Sequence, residues 1–321
     1  MKVLAAVGLV VMWSSGFVGA RLGTAEAPAD TLLAWRYVAA GAVLVLLAAA
    51  RRPRVRRGEL GRQALIGFLC QSLYLAGVVT GVGLGVPAGV AALIAVLQPL
   101  VVGALAGPVL GQRVRPRQWL GLATGVGAVG LVVAGDASAG GPVLGYLLVA
   151  GGMLALSSGT LLERRWRLDT PLLDSLTIHC LVSTAAFVTS AAVAGRLDPP
   201  ATAGFWWAVA WVVALSTFGG YGCYLLALRA FGATGASTLL FLTPPTTMLW
   251  ALLMFDERVG WLGVLGMLGC AGSVWLVLSA NGRGTWIRRR RRSSSTRHAA
   301  PASPSRRSPT PTPRSAPTRV T

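Results

Sequence analysis

The first 280 positions are filled by apolar runs about 20 residues long, separated by short polar loops. A run of that length crosses a hydrocarbon core about 30 Å thick. Inside lipid its backbone amides must bond to one another, because no water reaches them, and only α-helices and closed β-barrels meet that demand. Barrel strands alternate apolar and polar residues over about ten positions, and no such alternation is visible here. The expected fold class is an all-α polytopic membrane protein. Ten transmembrane helices are expected at 3–23, 31–50, 63–84, 87–110, 116–134, 143–162, 171–194, 205–228, 235–255 and 260–280. Composition agrees, since 12% of the 321 residues are charged, about half the share found in soluble domains.

The second half of the chain repeats the first. Gln98-Pro99 in LIAVLQPLVVGALAGPVLGQRV answers to Thr243-Pro244 in LLFLTPPTTMLWALLMFDERV, and Pro244 minus Pro99 is 145. The same offset pairs Arg113 with Arg258, Val114 with Val259, Gly121 with Gly266 and Leu131 with Leu276. Ser14-Ser15-Gly16 answers to Ser157-Ser158-Gly159 at an offset of 143. Repeated hydropathy with matched helix breakers is the mark of a transporter built from internal repeats. Five spans per half is an odd number, so the second half enters the membrane with opposite orientation, an inverted-topology repeat. The expected division is a five-helix repeat at 1–135, a second at 136–280, and a disordered basic tail at 281–321.

The formal charge of +19 resembles a nucleic-acid signature until it is located. The tail from Asn281 holds eleven arginines and no acid. Most of the remainder sits in short loops: Arg51, Arg52, Arg54, Arg56, Arg57 and Arg62; then Arg113, Arg115 and Arg117; then Arg164, Arg165 and Arg167. Arginine-rich short loops mark the cytoplasmic side, and with the N-terminus inside all of these loops and the tail fall there. The expected location is the cell membrane, multi-pass, with both termini cytoplasmic. Trp119, Trp166, Trp206, Trp207, Trp261 and Trp286 cluster near span ends as an interfacial belt. The tail's Ser, Thr, Pro and Arg repeats cannot bury a core and read as a topology anchor that touches anionic lipid.

Polar side chains inside spans are costly in lipid and tend to face a cavity or another helix. The candidates for the substrate cavity are Trp13, Ser14, Arg36, Gln71, Tyr74, Gln98, Tyr221, Tyr224 and Thr243. Gln98-Pro99 and Thr243-Pro244-Pro245 are the sharpest. Pro99, Pro244 and Pro245 each remove a helical hydrogen bond and free a carbonyl, at matched places in the two halves. Gln71 and Tyr74 are three apart on one helical face, as are Tyr221 and Tyr224. Arg36 sits about two turns inside its span, placed either to snorkel to the interface or to bind an anion. His179 reads as a packed or interface residue; Glu163 and Asp256-Glu257 read as boundary charges. Glycines 77, 81, 85 and 89 straddle Pro87, so they cannot form one continuous seam. Cys70, Cys180, Cys223 and Cys270 lack metal-ligand spacing, and no metal or cofactor is expected.

These residues resemble the drug/metabolite transporter superfamily, EamA type. The resemblance is carried by MWSSGFVGARLG at 12–23, LAWRYVAAGAVLVLL at 33–47 and LLFLTPPTTMLWALLMFDERV at 239–259, and it runs from about 5 to 280. It implies two EamA repeats around a shared central cavity and a secondary transporter. The implied cargo is a small polar metabolite, an amino acid or related compound, exported across the cytoplasmic membrane by alternating access. A flippase for a lipid-linked substrate, or a subunit of one, is the alternative within the superfamily. The family's first repeat usually closes its fourth helix with Gly-Glu, and this chain reads Gly111-Gln112. Membrane-embedded enzymes need clustered His, Glu or Asp, which the spans lack, so no enzyme is expected. Expected partners are a small-molecule solute, the lipid bilayer and, as one option, a second copy of the chain, with no nucleic acid.

Overall fold

The computed structural model describes residues 2–50, 55–111, 116–138, 140–257 and 260–273, with helices and no strand among them. The basic tail, positions 274–280 of the last span and Arg113, Arg115 and Arg258 lie outside the described residues. In chain order the helices are α1 (Lys2–Thr24), α2 (Ala29–Ala49), α3 (Arg57–Gly67), α4 (Tyr74–Gly83), α5 (Ala88–Ala95), α6 (Gln98–Leu110), α7 (Pro116–Ser138) and α8 (Val143–Trp166). They continue as α9 (Leu172–Val193), α10 (Ala203–Trp211), α11 (Gly220–Leu240), α12 (Thr243–Phe255) and α13 (Trp261–Ser273). Among the described residues, nine stretches are long and apolar enough to span a bilayer, and α13 is a shorter apolar helix.

Several ends are set by residue chemistry. Pro28, Pro87, Pro142 and Pro171 occupy the caps of α2, α5, α8 and α9 in extended geometry, where a missing N–H costs no helical bond. Gly111 and Asp256 end α6 and α12 in the left-handed region, with φ of 67° and 53°. They stand 145 apart, so the turn that closes the fourth span also closes the ninth. Gly232, at φ 73° and ψ 176°, bends α11 out of helical geometry and separates the eighth span from the ninth.

Two spans contain π-helical segments, Phe68–Leu73 between α3 and α4 and Val212–Gly219 between α10 and α11. Adding 145 to the first gives 213–218, inside the second. The duplicated scaffold therefore carries its π turn twice. Packing repeats the same way: α4 lies against α8 as α11 lies against α1, while α2 meets α9 and α5 meets α12 across the pseudo-twofold.

The α4–α8 crossing is close because it is lined with glycine. A Cβ on Gly77 would sit 3.0 Å from Gly152 Cα, and one on Gly152 would sit 2.7 Å from the Tyr74 carbonyl oxygen. Gly81 faces the Gly145 carbonyl in the same seam, whereas Gly89 packs on Met248 of α12 and Gly85 turns the chain at φ 107°. The four-residue glycine series thus serves two helices and a turn, as the intervening Pro87 requires.

At the face opposite the N-terminus, Thr31 Oγ1 donates to the Arg196 carbonyl at 2.7 Å and Trp35 Nε1 to the Leu197 carbonyl at 2.9 Å. There Arg21 pairs with Glu257 at 3.3 Å, joining the ends of two spans from different repeats. On the N-terminal face, Thr170 Oγ1 donates to Glu59 at 2.7 Å and Arg165 reaches the Val109 carbonyl at 3.3 Å.

Candidate functional site

Two adjoining cavities lie between the repeats, of about 130 and about 70 Å³. Trp13 and Phe17 of α1, Tyr74 of α4 and Leu156 of α8 wall both. Arg36, Gln71 and Tyr221 complete the polar lining of the first, together with Ser216 and Thr217. Gln98, Pro99 and Thr243 line the second.

The second cavity sits at the paired helix breaks. Pro99 cannot donate to the Ala95 carbonyl, nor Pro244 and Pro245 to those of Leu240 and Phe241. Ala95, Leu240 and Phe241 are all in its wall. Gln98 Nε2 donates to Thr160 Oγ1 at 3.1 Å. The hydroxyl at the matching place in the other repeat, on Thr243, is buried without a partner, and Thr247 Oγ1 on the next turn is the same. A buried hydroxyl with no bond is costly, which makes the second break the open hydrogen-bonding position of the pair.

The first cavity is organised by the π turns. Such turns favour functional sites, and each here turns a polar pair inward. Gln71 Nε2 donates to the Tyr221 hydroxyl at 3.1 Å, and Ser72 shares a 3.0 Å bond with Ser183 of α9. On the second π turn, Ser216 and Thr217 accept from Arg36 Nη2 at 3.4 and 3.2 Å. Each π turn is therefore tied to the second helix of the other repeat.

Arg36 is 6% exposed. Two outcomes were open for it in the sequence, and the structure rules out snorkelling: the guanidinium turns inward because two hydroxyls hold it there, with the Tyr37 ring 5.6 Å away. The repeat offset places His179 in the same position of α9, since Pro171 minus Pro28 is 143 and His179 minus Arg36 is also 143. His179 shares a 2.9 Å bond with Gln63 and packs against Gly67, a helix-tying role consistent with its reading as a packed residue.

Four of the candidates and helix-break prolines line neither cavity, among them Pro244, which is buried in the first turn of α12. Ser14 is fully buried in α1 and donates to the Val11 carbonyl at 3.0 Å, outside both cavity walls. Its partner by repeat, Ser157, donates to the Met153 carbonyl at 2.8 Å, so the serine pairs satisfy themselves within their helices. Tyr224 packs behind Trp13, ring centroids 6.0 Å apart. Pro245 lines an apolar groove between α1 and α12 with Val7 and Val10. Sequence reasoning missed Ser216 and Thr217, although the 145 offset lays them directly on Gln71 and Ser72. Short hydroxylated side chains look unremarkable in an apolar run until the partner repeat is read beside them.

A roomier cavity of about 250 Å³ opens at the face opposite the N-terminus, lined mainly by apolar residues with Asp136 and Glu257. Asp136 is hydrogen-bonded by the Tyr146 hydroxyl and Glu257 is held by Arg21. Its acids are engaged, and it lies away from the paired helix breaks.

No curated protein matches the chain. A solved structure described as "Crystal structure of protein" superposes with a TM-score of 0.61 at 20% identity, over 87% of this chain and 97% of that one. A likeness at that identity speaks to the fold alone. The sequence profile of the EamA-like transporter family matches residues 1–134 and again residues 143–279. With one family unit in each repeat, the chain belongs to the EamA-like transporter family.

Proposed function

We propose that this protein is a secondary transporter that exports a small polar metabolite, an amino acid or related compound, across the cytoplasmic membrane by alternating access. The observation that carries the reading is the pair of adjoining cavities, one at the π turns and one at the helix breaks, both walled by side chains of both repeats. A solute held there contacts both halves, so rocking one half against the other changes the face to which it is open. The aromatic walls supply apolar area, and a few fixed polar groups give orientation, the usual make-up of a small-molecule site. In cells overproducing the protein, the medium is expected to gain one class of small polar metabolite relative to cells lacking it. Identical release profiles at verified membrane abundance would remove the export reading.

The same reading puts the N-terminus and the tail in the cytoplasm, because arginine-rich short loops are retained inside. In a chain freed of its native cysteines, Asp198→Cys is expected to react with an impermeant thiol reagent on intact cells. Arg54→Cys is expected to react only after permeabilisation. The reverse pattern contradicts the orientation.

A further inference from the structure

We propose that Arg36 is the anchor of the transport cavity, and that the solute presents a single carboxylate to it. The inference rests on the transporter reading above and names the group that the cavity selects.

Arginine keeps its charge under all ordinary conditions, and a buried charge persists where it is paired and hydrogen-bonded. Arg36 is only partly provided for. Both of its hydrogen bonds leave from Nη2, and Nε is buried with no acceptor. Thr217 spends its own hydrogen on the Val212 carbonyl at 3.0 Å, so it offers Arg36 a lone pair and nothing more. The Tyr37 ring adds a cation–π contact. The ion pairs among the described residues involve Arg21, Arg56 and Arg196, and no acid lines the first cavity. The cavity therefore holds one full positive charge and no negative one.

The missing partner is an anion that enters and leaves. The guanidinium fork matches a carboxylate in shape. One guanidinium balances one charge, which favours a carboxylate over a phosphate ester that carries nearly two. The space is small as well: about 130 Å³, against the ~150 Å³ that holds a benzene ring elsewhere. A carboxylate on a body of roughly that size fills it, with the body against Trp13, Phe17 and Tyr74.

The test compares acids with their own amides, which keep the shape and lose the charge. Full-chain protein in detergent at pH 7.5 is titrated with propionate, isovalerate and benzoate, and with propionamide, isovaleramide and benzamide. Binding is read from the concentration dependence of the thermal midpoint. At least one acid is expected to bind about tenfold or more tightly than its amide, as hydrogen bonds to a charged group are the stronger kind. Arg36→Gln is expected to abolish that preference, and Arg36→Lys, which keeps charge without the fork, to retain part of it. Acid and amide binding equally in the wild type overturns the proposal, as does a preference that survives in Arg36→Gln. Should Arg36→Gln fail to fold, the wild-type comparison and Arg36→Lys decide. Parity of acid and amide alongside measurable metabolite release removes the anchor and leaves the transporter. Absence of release with a clear acid preference does the opposite.

Discussion

Leu156→Trp is expected to reduce transport by at least about tenfold at matched surface abundance, while Leu156→Ile transports nearly as well as the wild type. Leu156 faces both cavities, so the side chain that replaces it grows into empty space and not into packed core. An indole occupies much of a space that is only about 130 Å³ on one side and about 70 Å³ on the other. The loss is steric, so raising solute concentration does not restore it. Normal flux through Leu156→Trp would mean that the solute travels elsewhere. Ser14→Trp is not an equivalent probe. Ser14 is sealed in α1, and a tryptophan there disturbs packing and lowers protein yield whatever the route of the solute.

Gly77→Val is expected to cost about 3 kcal/mol or more, at or above the upper end for overpacking a close-packed site. The atoms it meets belong to the backbone of α8, the Leu148 carbonyl oxygen and Gly152 Cα, and backbone cannot rotate away as a side chain can. Only separation of α4 from α8 relieves the clash, and that also opens the wall carrying Tyr74 and Leu156. Gly103→Ala is the control, since a Cβ at Gly103 meets nothing within 4 Å. Thermal unfolding in detergent separates the two. A Gly77→Val protein as stable as Gly103→Ala would show that the crossing is looser than its geometry.

The fold was legible in the sequence because lipid leaves a backbone few options. Apolar run length gave the spans, and prolines such as Pro87 and Pro171 marked their starts. The candidate cavity lining was legible where chemistry broke the apolar pattern: Arg36, Gln71, Gln98 and Thr243, all conspicuous in such surroundings, line the two cavities. Ser14 lines neither cavity for a physical reason, since a serine in a helix can satisfy its hydroxyl on its own carbonyls, as Ser14 does on Val11, and so need not face an opening. Tyr221 and Tyr224 share one face of α11 and both meet Trp13, but only Tyr221 lines the first cavity, because three-residue spacing sets the face of a helix and not which of its turns meets an opening. The π turns themselves have no compositional signature, and they decide where Ser216 and Thr217 point.

Arg36 and His179 hold one place in two repeats, yet only one of them carries a fixed charge into the cavity. Were the halves identical, the two states that exchange their conformations would be degenerate, and the empty carrier would divide its time equally between the two faces of the membrane. A charge on one side of the pseudo-twofold lifts that degeneracy. Each 1.4 kcal/mol of difference moves the populations tenfold. For a carrier that alternates as proposed, the unpaired guanidinium thus gives the empty molecule a resting state, and with it a preferred face at which to wait.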